Sequence, residues 1–163
     1  MAISPQHLDA WRAVVTSHAA VTDRVQKALA AHDLPPLSWF ELLAAVDASA
    51  DGPPTMSQLA EYLTLSRGGI TKLVDRLSDA GYLERVSCPE DRRSLQAELT
   101  PAGERMLEEM RAVYAAEVGR HLASVSAEEA KLLTEALARV TGSTCESQLA
   151  ETVAPEKAVP EAA

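Results

Sequence analysis

Cysteine is scarce in this chain: there are two in 163 residues, Cys88 and Cys145, too far apart to read as a disulfide framework. Aromatic residues are few as well, with one Phe, two Trp and three Tyr, so Ala, Leu and Val must fill most of the core. No segment approaches the roughly 20 uncharged apolar residues of a membrane span. The opening MAISPQHLDAW carries no apolar signal core. The expectation is a soluble, cytoplasmic, single-domain protein with no membrane partner. Catalytic patterns are missing too: there is no glycine-rich phosphate loop, H-E-x-x-H, G-x-S-x-G or Cys-x-x-Cys. The adjacent carboxylates Glu90–Asp91 and Glu108–Glu109 read as solvated charge. His7 and His18 share a helical face but stand roughly 16 Å apart along it, too far to hold one metal ion. The chain is therefore expected to be no enzyme and to need no cofactor or metal.

Positive charge is also short, with 15 Lys or Arg against 24 Asp or Glu and a formal net charge of −9. That balance argues against a strongly basic, non-specific nucleic-acid binder, because phosphate attraction supplies much of such affinity. The deficit is uneven, however. From Ser57 to Thr100 there are six basic and seven acidic residues, so this stretch is near neutral and the remaining −8 lies in the flanks. Acidic flanks favour a single docking face.

What is present is concentrated between Met56 and Gly103. MSQLAEYL reads as a short helix with Ser57 as its cap and Leu59, Ala60 and Leu63 on its buried face. Thr64 and Leu65 make a turn. Ser66 caps RGGITKLVDRLSDAG, whose Ile70, Leu73, Val74 and Leu77 stack on one side, and Gly81 stands where a left-handed residue ends the helix. In such a helix-turn-helix the second helix offers its first turns to the DNA major groove. This makes Ser66, Arg67, Gly68, Gly69, Thr71, Lys72 and Arg76 candidate DNA contacts, joined by Ser57 at the start of the first helix. Two adjacent glycines cost helix stability, roughly 1 kcal/mol each relative to Ala in a helix interior. Close approach of the backbone to DNA is one reason to tolerate them.

A hairpin follows. Tyr82 to Val86 is β-prone, and SLQAELT alternates, with Leu95, Ala97 and Leu99 on one face. Between them lies CPEDRR, which sets Asp91, Arg92 and Arg93 at the tip. An arginine beside a recognition helix can enter a narrow minor groove, and Asp91 is tolerable near phosphate if it orients an arginine.

These residues resemble the MarR family of bacterial transcriptional regulators. The resemblance rests on Leu59-Ala60, Leu63, the run Ser66 to Leu77, and Asp91-Arg92-Arg93-Ser94 leading to Leu99-Thr100-Pro101-Ala102-Gly103. It is strongest between Ser38 and Thr141. It implies that Arg93 enters the minor groove, that Asp91 holds it, and that the start of the second helix reads the major groove. Some relatives sense oxidants through a cysteine in the first helix, where this sequence has none.

The flanks predict long helices. Ser4-Pro5 starts one that carries Leu8, Trp11, Val15, Thr22, Val25 and Leu29 as a stripe up to His32. At roughly 40 Å it is too long for a core this small to cover. Ser38 to Glu41 reads as the capping box of a shorter helix. Thr100-Pro101 opens another with Leu107, Met110, Tyr114, Val118, His121 and Leu122. Ser126 with Glu129 caps a last one bearing Leu132, Leu133, Ala136, Leu137 and Val140. The fold class is thus mainly α with a small β-hairpin wing, a winged helix-turn-helix with N- and C-terminal dimerisation helices. Residues 1–34 and 101–148 form the expected dimerisation region, 35–100 the DNA-binding lobe, and 149–163 a disordered tail.

The function implied is a homodimeric, sequence-specific regulator of double-stranded DNA, a repressor released from a pseudo-palindromic operator by a small effector. The family resemblance points to an aromatic or phenolic ligand in a crevice beside the DNA-binding lobe. Trp11, His18, Trp39 and Phe40 are its candidate lining. Two alternatives remain open at this point: a winged-helix module that binds protein instead of DNA, and a thiol redox sensor acting through Cys88.

Overall fold

The computed structural model describes residues 3–50, 52–87 and 95–141. The elements run α1 (Pro5–Ala31), α2 (Leu37–Asp47), α3 (Met56–Tyr62), α4 (Arg67–Asp79), β1 (Leu83–Ser87), β2 (Leu95–Leu99), α5 (Pro101–Leu122) and α6 (Ala127–Thr141). This is the mainly helical, winged helix-turn-helix order that the sequence predicts.

Helix starts follow local chemistry. Ser4 caps α1, its hydroxyl accepting from the His7 amide ahead of Pro5. Ser66 caps α4 by accepting from the Gly69 amide at 3.1 Å. Two expected caps move. Helix α3 is capped by Thr55, not Ser57: the Thr55 hydroxyl accepts from the Gln58 amide while the Thr55 amide donates to Gln58 Oε1 at 2.8 Å. The preceding Pro53-Pro54 delivers Thr55 in extended geometry, and the Ala97 amide donates to the Pro54 carbonyl at 3.0 Å. The linker thereby lies along β2 before the helix begins. Ser57, one turn position further in, is exposed. Helix α2 begins at Leu37 behind Pro36, with no side-chain cap from Ser38. Its first donor is satisfied from outside instead, the Leu37 amide donating to Gln26 Oε1 of α1 at 3.1 Å, so a tertiary contact replaces the expected box.

The turn between α3 and α4 needs Thr64 at a φ of 53°, a left-handed position, and is closed by the Leu65 amide donating to the Ala60 carbonyl at 2.9 Å. Ala60 is buried there. Helix α4 ends as expected: Gly81 adopts a φ of 80°, and the Tyr82 amide reaches back to the Leu77 carbonyl at 2.9 Å, closing the Schellman pattern.

Strands β1 and β2 pair antiparallel, Leu83 opposite Leu99 and Ser87 opposite Leu95. Of the expected inward face, Ala97 is fully buried and Leu99 half-buried, whereas Leu95 is exposed. It stands at the outer end of the ladder, beyond the reach of the lobe's core. Thr100 then joins three elements. Its hydroxyl donates to the Gly81 carbonyl at 2.7 Å and accepts from the Gly103 amide at 3.0 Å, capping α5 while binding it to the end of α4. A Cβ on Gly103 would overlap the Tyr82 carbonyl oxygen. The L-T-x-x-G run is thus a backbone packing device that fixes α5 against the base of the wing.

The core gathers Phe40, Leu42 and Leu43 of α2, Leu59 of α3, Ile70, Val74 and Leu77 of α4, Leu107 and Met110 of α5, and Val25 and Leu29 at the end of α1. Only the part of α1 from Val21 onward reaches it. Leu8, Trp11 and Val15 further up the helix are exposed, as are Leu132, Leu133 and Val140 on α6. Both flanking helices carry apolar surface away from the core, the condition under which a second copy was expected. No helix among the described residues is long and apolar enough to cross a membrane.

Candidate nucleic-acid interface and the neighbouring crevice

Helix α4 divides along its length. Ile70, Leu73, Val74 and Leu77 are buried, while Ser66, Arg67, Gly68, Thr71, Lys72 and Arg76 are exposed at helical spacing on the opposite face and Gly69 is half-buried. Eight DNA contacts were expected on these two helices. Seven lie at or near this one face, and Ser57 lies on α3, exposed. Asp91, Arg92 and Arg93, like Cys88, lie outside the described residues, as does Cys145.

The chemistry of the face is specific in several places. The Thr71 hydroxyl donates to the Arg67 carbonyl at 2.9 Å, leaving its oxygen as an acceptor. Asp75, the carboxylate between Lys72 and Arg76, is engaged by Arg85 of β1 in an ion pair. That pair removes a repulsive charge from the middle of the cationic face and ties the wing's first strand to the recognition helix. Sequence reasoning missed it, because the ten-residue separation crosses an element boundary and only the fold brings the two together.

The glycines differ. A Cβ on Gly69 would sit 3.3 Å from the Ser66 hydroxyl, crowding the cap, whereas a Cβ on Gly68 would meet nothing within 4 Å. The fold gives no reason for Gly68 to lack a side chain. An external surface brought against the helix would give one.

Behind this lobe a crevice of about 680 Å3 lies between α1, α2, α5 and α6. Its apolar walls include Val14, Val21, Leu37, Leu133 and Leu137, and its polar groups come from Ser17, His18, Thr22, Glu41 and Tyr114. Of the four expected lining residues only His18 is there. Trp11 lies level with the lining residues Ala10 and Ala13 of α1 but is not among them, and is 62% exposed. Trp39 packs edge-on against Tyr82 with ring centroids 5.9 Å apart. Phe40 is buried and stacks on Tyr114 at 4.5 Å, so it shapes the crevice only through the tyrosine. Glu41 and Tyr114 are the polar groups that sequence reasoning missed, having taken the first for a cap residue and the second for one apolar stripe position among several. Crowding by the walls pushes the Glu41 carboxyl above its ordinary range, with His18 pulling it back. Burial, then Glu41 and Tyr62, push the Tyr114 phenol up, so it is a neutral donor at physiological pH. No group of three or more His, Cys, Asp or Glu side chains among the described residues is placed to hold a metal.

Two short helices, a cationic second-helix face and a hairpin locked to it by Asp75–Arg85 define a winged helix-turn-helix regulator. Comparison with known proteins carries this further. A family model described as MarR family matches residues 32–94. The HTH-type transcriptional regulator MhqR of Bacillus subtilis is 31% identical over 124 residues, which cover 76% of this chain and 83% of that protein. The crystal structure of AbsC, a MarR family transcriptional regulator from Streptomyces coelicolor, superposes with a TM-score of 0.77 at 24% identity over 87% of this chain and 96% of that one. Sco3205, a MarR family transcriptional regulator from the same organism solved in complex with DNA, gives 0.77 at 23% over 86% and 89%. The chain belongs to the MarR family of transcriptional regulators.

Proposed function

We propose that the protein is a homodimeric repressor that binds a pseudo-palindromic operator and leaves it when a small molecule enters the crevice. The observation that carries DNA binding is the exposed face of α4, where Arg67, Lys72 and Arg76 flank a glycine the fold does not require. In this reading Ser66, Arg67, Gly68, Gly69, Thr71 and Lys72 meet base edges and phosphates, Arg76 and Ser57 meet backbone, and Arg92 and Arg93, with Asp91 orienting them, serve the minor groove. The near-neutral lobe and acidic flanks give few phosphate contacts and a modest salt slope. Dimerisation through α1, α5 and α6 covers the apolar surface that one chain leaves open, and sets two α4 helices into successive major grooves about 34 Å apart. The crevice lies between those flanking helices and α2 of the lobe, so its occupant biases the spacing of the two recognition helices. The structure of CouR from Rhodococcus jostii bound to p-coumaroyl-CoA supports the effector reading by analogy of fold.

Selection of bound fragments from genomic DNA, followed by hydroxyl-radical footprinting, tests this. Two protected half-sites whose centres are about 10 base pairs apart are expected. Enrichment no better than random sequence would overturn DNA binding and favour a protein-interaction module on the same fold.

A further inference from the structure

The polar equipment of the crevice is unlike what an aromatic acid needs. Its titratable groups are His18 from α1, Glu41 from α2 and Tyr114 from α5, while α6 contributes Leu133 and Leu137. Among the described residues no lysine or arginine lines it. A ligand carboxylate entering here would shed water beside Glu41 and find no lysine or arginine of this chain to replace it, only the His18 imidazole, and like charges brought together in a partly desolvated site repel strongly. A ligand ammonium or other strong donor would instead meet a carboxylate already crowded by apolar walls, where a charge-assisted hydrogen bond gains most. The Ser17 and Thr22 hydroxyls and the Tyr114 phenol can serve secondary polar groups. The volume suits a molecule of drug size, and both Glu41 and His18 are exposed in the single chain.

We propose that the effector of this regulator is a lipophilic organic cation or amine whose positive head pairs with Glu41 while its apolar body fills the space between Val14, Val21, Leu37 and Leu133. This rests on the reading of the crevice as an effector site and assigns its chemical class. It replaces the aromatic or phenolic acid expected from family resemblance with a ligand of opposite charge.

The test uses the full-length protein without DNA and three probes of matched shape: 4-phenylbutylamine, 4-phenylbutanol and 4-phenylbutyrate. Binding is followed by isothermal titration calorimetry on wild type and Glu41→Gln, with circular dichroism to establish that the variant is folded. The amine should bind wild type about tenfold or more tighter than the acid, with the alcohol between them, and Glu41→Gln should abolish most of that preference. A second variant, Val14→Trp, fills the crevice and should weaken all three probes. Preference of the wild type for the acid, or an amine preference that survives Glu41→Gln, would overturn the assigned class while leaving an effector crevice in place. Failure of all three probes would overturn both, the second copy or another segment then filling the space.

Discussion

At the residue scale, two glycines differ in what the fold requires of them. Gly103 has no room for a methyl group, since a Cβ there would strike the Tyr82 carbonyl. Gly103→Ala should therefore cost about 1–3 kcal/mol, the usual range for overpacking against an unyielding neighbour, measured by urea unfolding. Gly68 has open space around it, so Gly68→Ala should leave the free protein as stable or more stable, by up to about 1 kcal/mol from helix propensity. Its affinity for operator DNA should nonetheless drop. The ion pair Asp75–Arg85 is partly exposed, and such pairs are worth no more than about 1 kcal/mol. Arg85→Ala should accordingly leave unfolding nearly unchanged and weaken DNA binding by freeing Asp75 to repel phosphate. A matching fall in Asp75→Asn would contradict that account, because the neutral amide repels nothing. Individual residues were legible where spacing alone decides: the buried Ile70, Leu73, Val74 and Leu77 and the left-handed Gly81 follow from local pattern. The crevice carboxylate Glu41 was not, because its role depends on which walls α1, α5 and α6 place around it.

At the element scale, helix ends were read correctly where the cap lies beside the first turn, as at Ser4, Ser66 and Thr100. They were misread at Ser57 and Ser38, where Pro54 and Gln26 supply geometry or hydrogen bonds from outside the local window. Helix α6 begins with Ser126 and Glu129 in a reciprocal box: the Ser126 amide and hydroxyl donate to Glu129 Oε2 at 2.9 and 2.7 Å, and the Glu129 amide donates back to the Ser126 hydroxyl. These bonds hold the Glu129 carboxyl below its ordinary range. A depressed carboxyl contributes stability above its unfolded value and loses it as pH falls through the folded one. The stability advantage of wild type over Glu129→Gln should then shrink on acidification below about pH 4. Glu41 has the opposite sign. Its raised value means that the folded chain holds the proton more tightly, so its contribution is present below the ordinary carboxylate range and lost as pH rises through the raised one. Glu41→Gln should flatten that descent, and in denaturant titrations across the acid range the stability difference between wild type and each variant should change with pH in opposite senses.

At the scale of the whole molecule, the order of elements could be read from periodicity and caps. How the flanks are covered could not, because one chain leaves Trp11 62%, Leu132 61% and Val140 76% exposed. A second copy is expected to cover that surface. Leu132→Glu together with Trp11→Glu should convert a dimer to monomer in sedimentation velocity, and the monomer should lose most operator affinity, since one recognition helix then holds a half-site alone. The face of α4, with the wing, is proposed to grip duplex DNA as part of a two-fold regulator. Fluorescence anisotropy tests it most directly, with labelled DNA from just upstream of the protein's own coding region titrated across a salt series for wild type, Gly68→Ala and Arg93→Ala. Saturable binding tighter than to random DNA, a modest salt slope, and a loss of roughly tenfold or more in each variant without loss of fold are expected. Equal affinity of all three proteins for that DNA and for random sequence would contradict it.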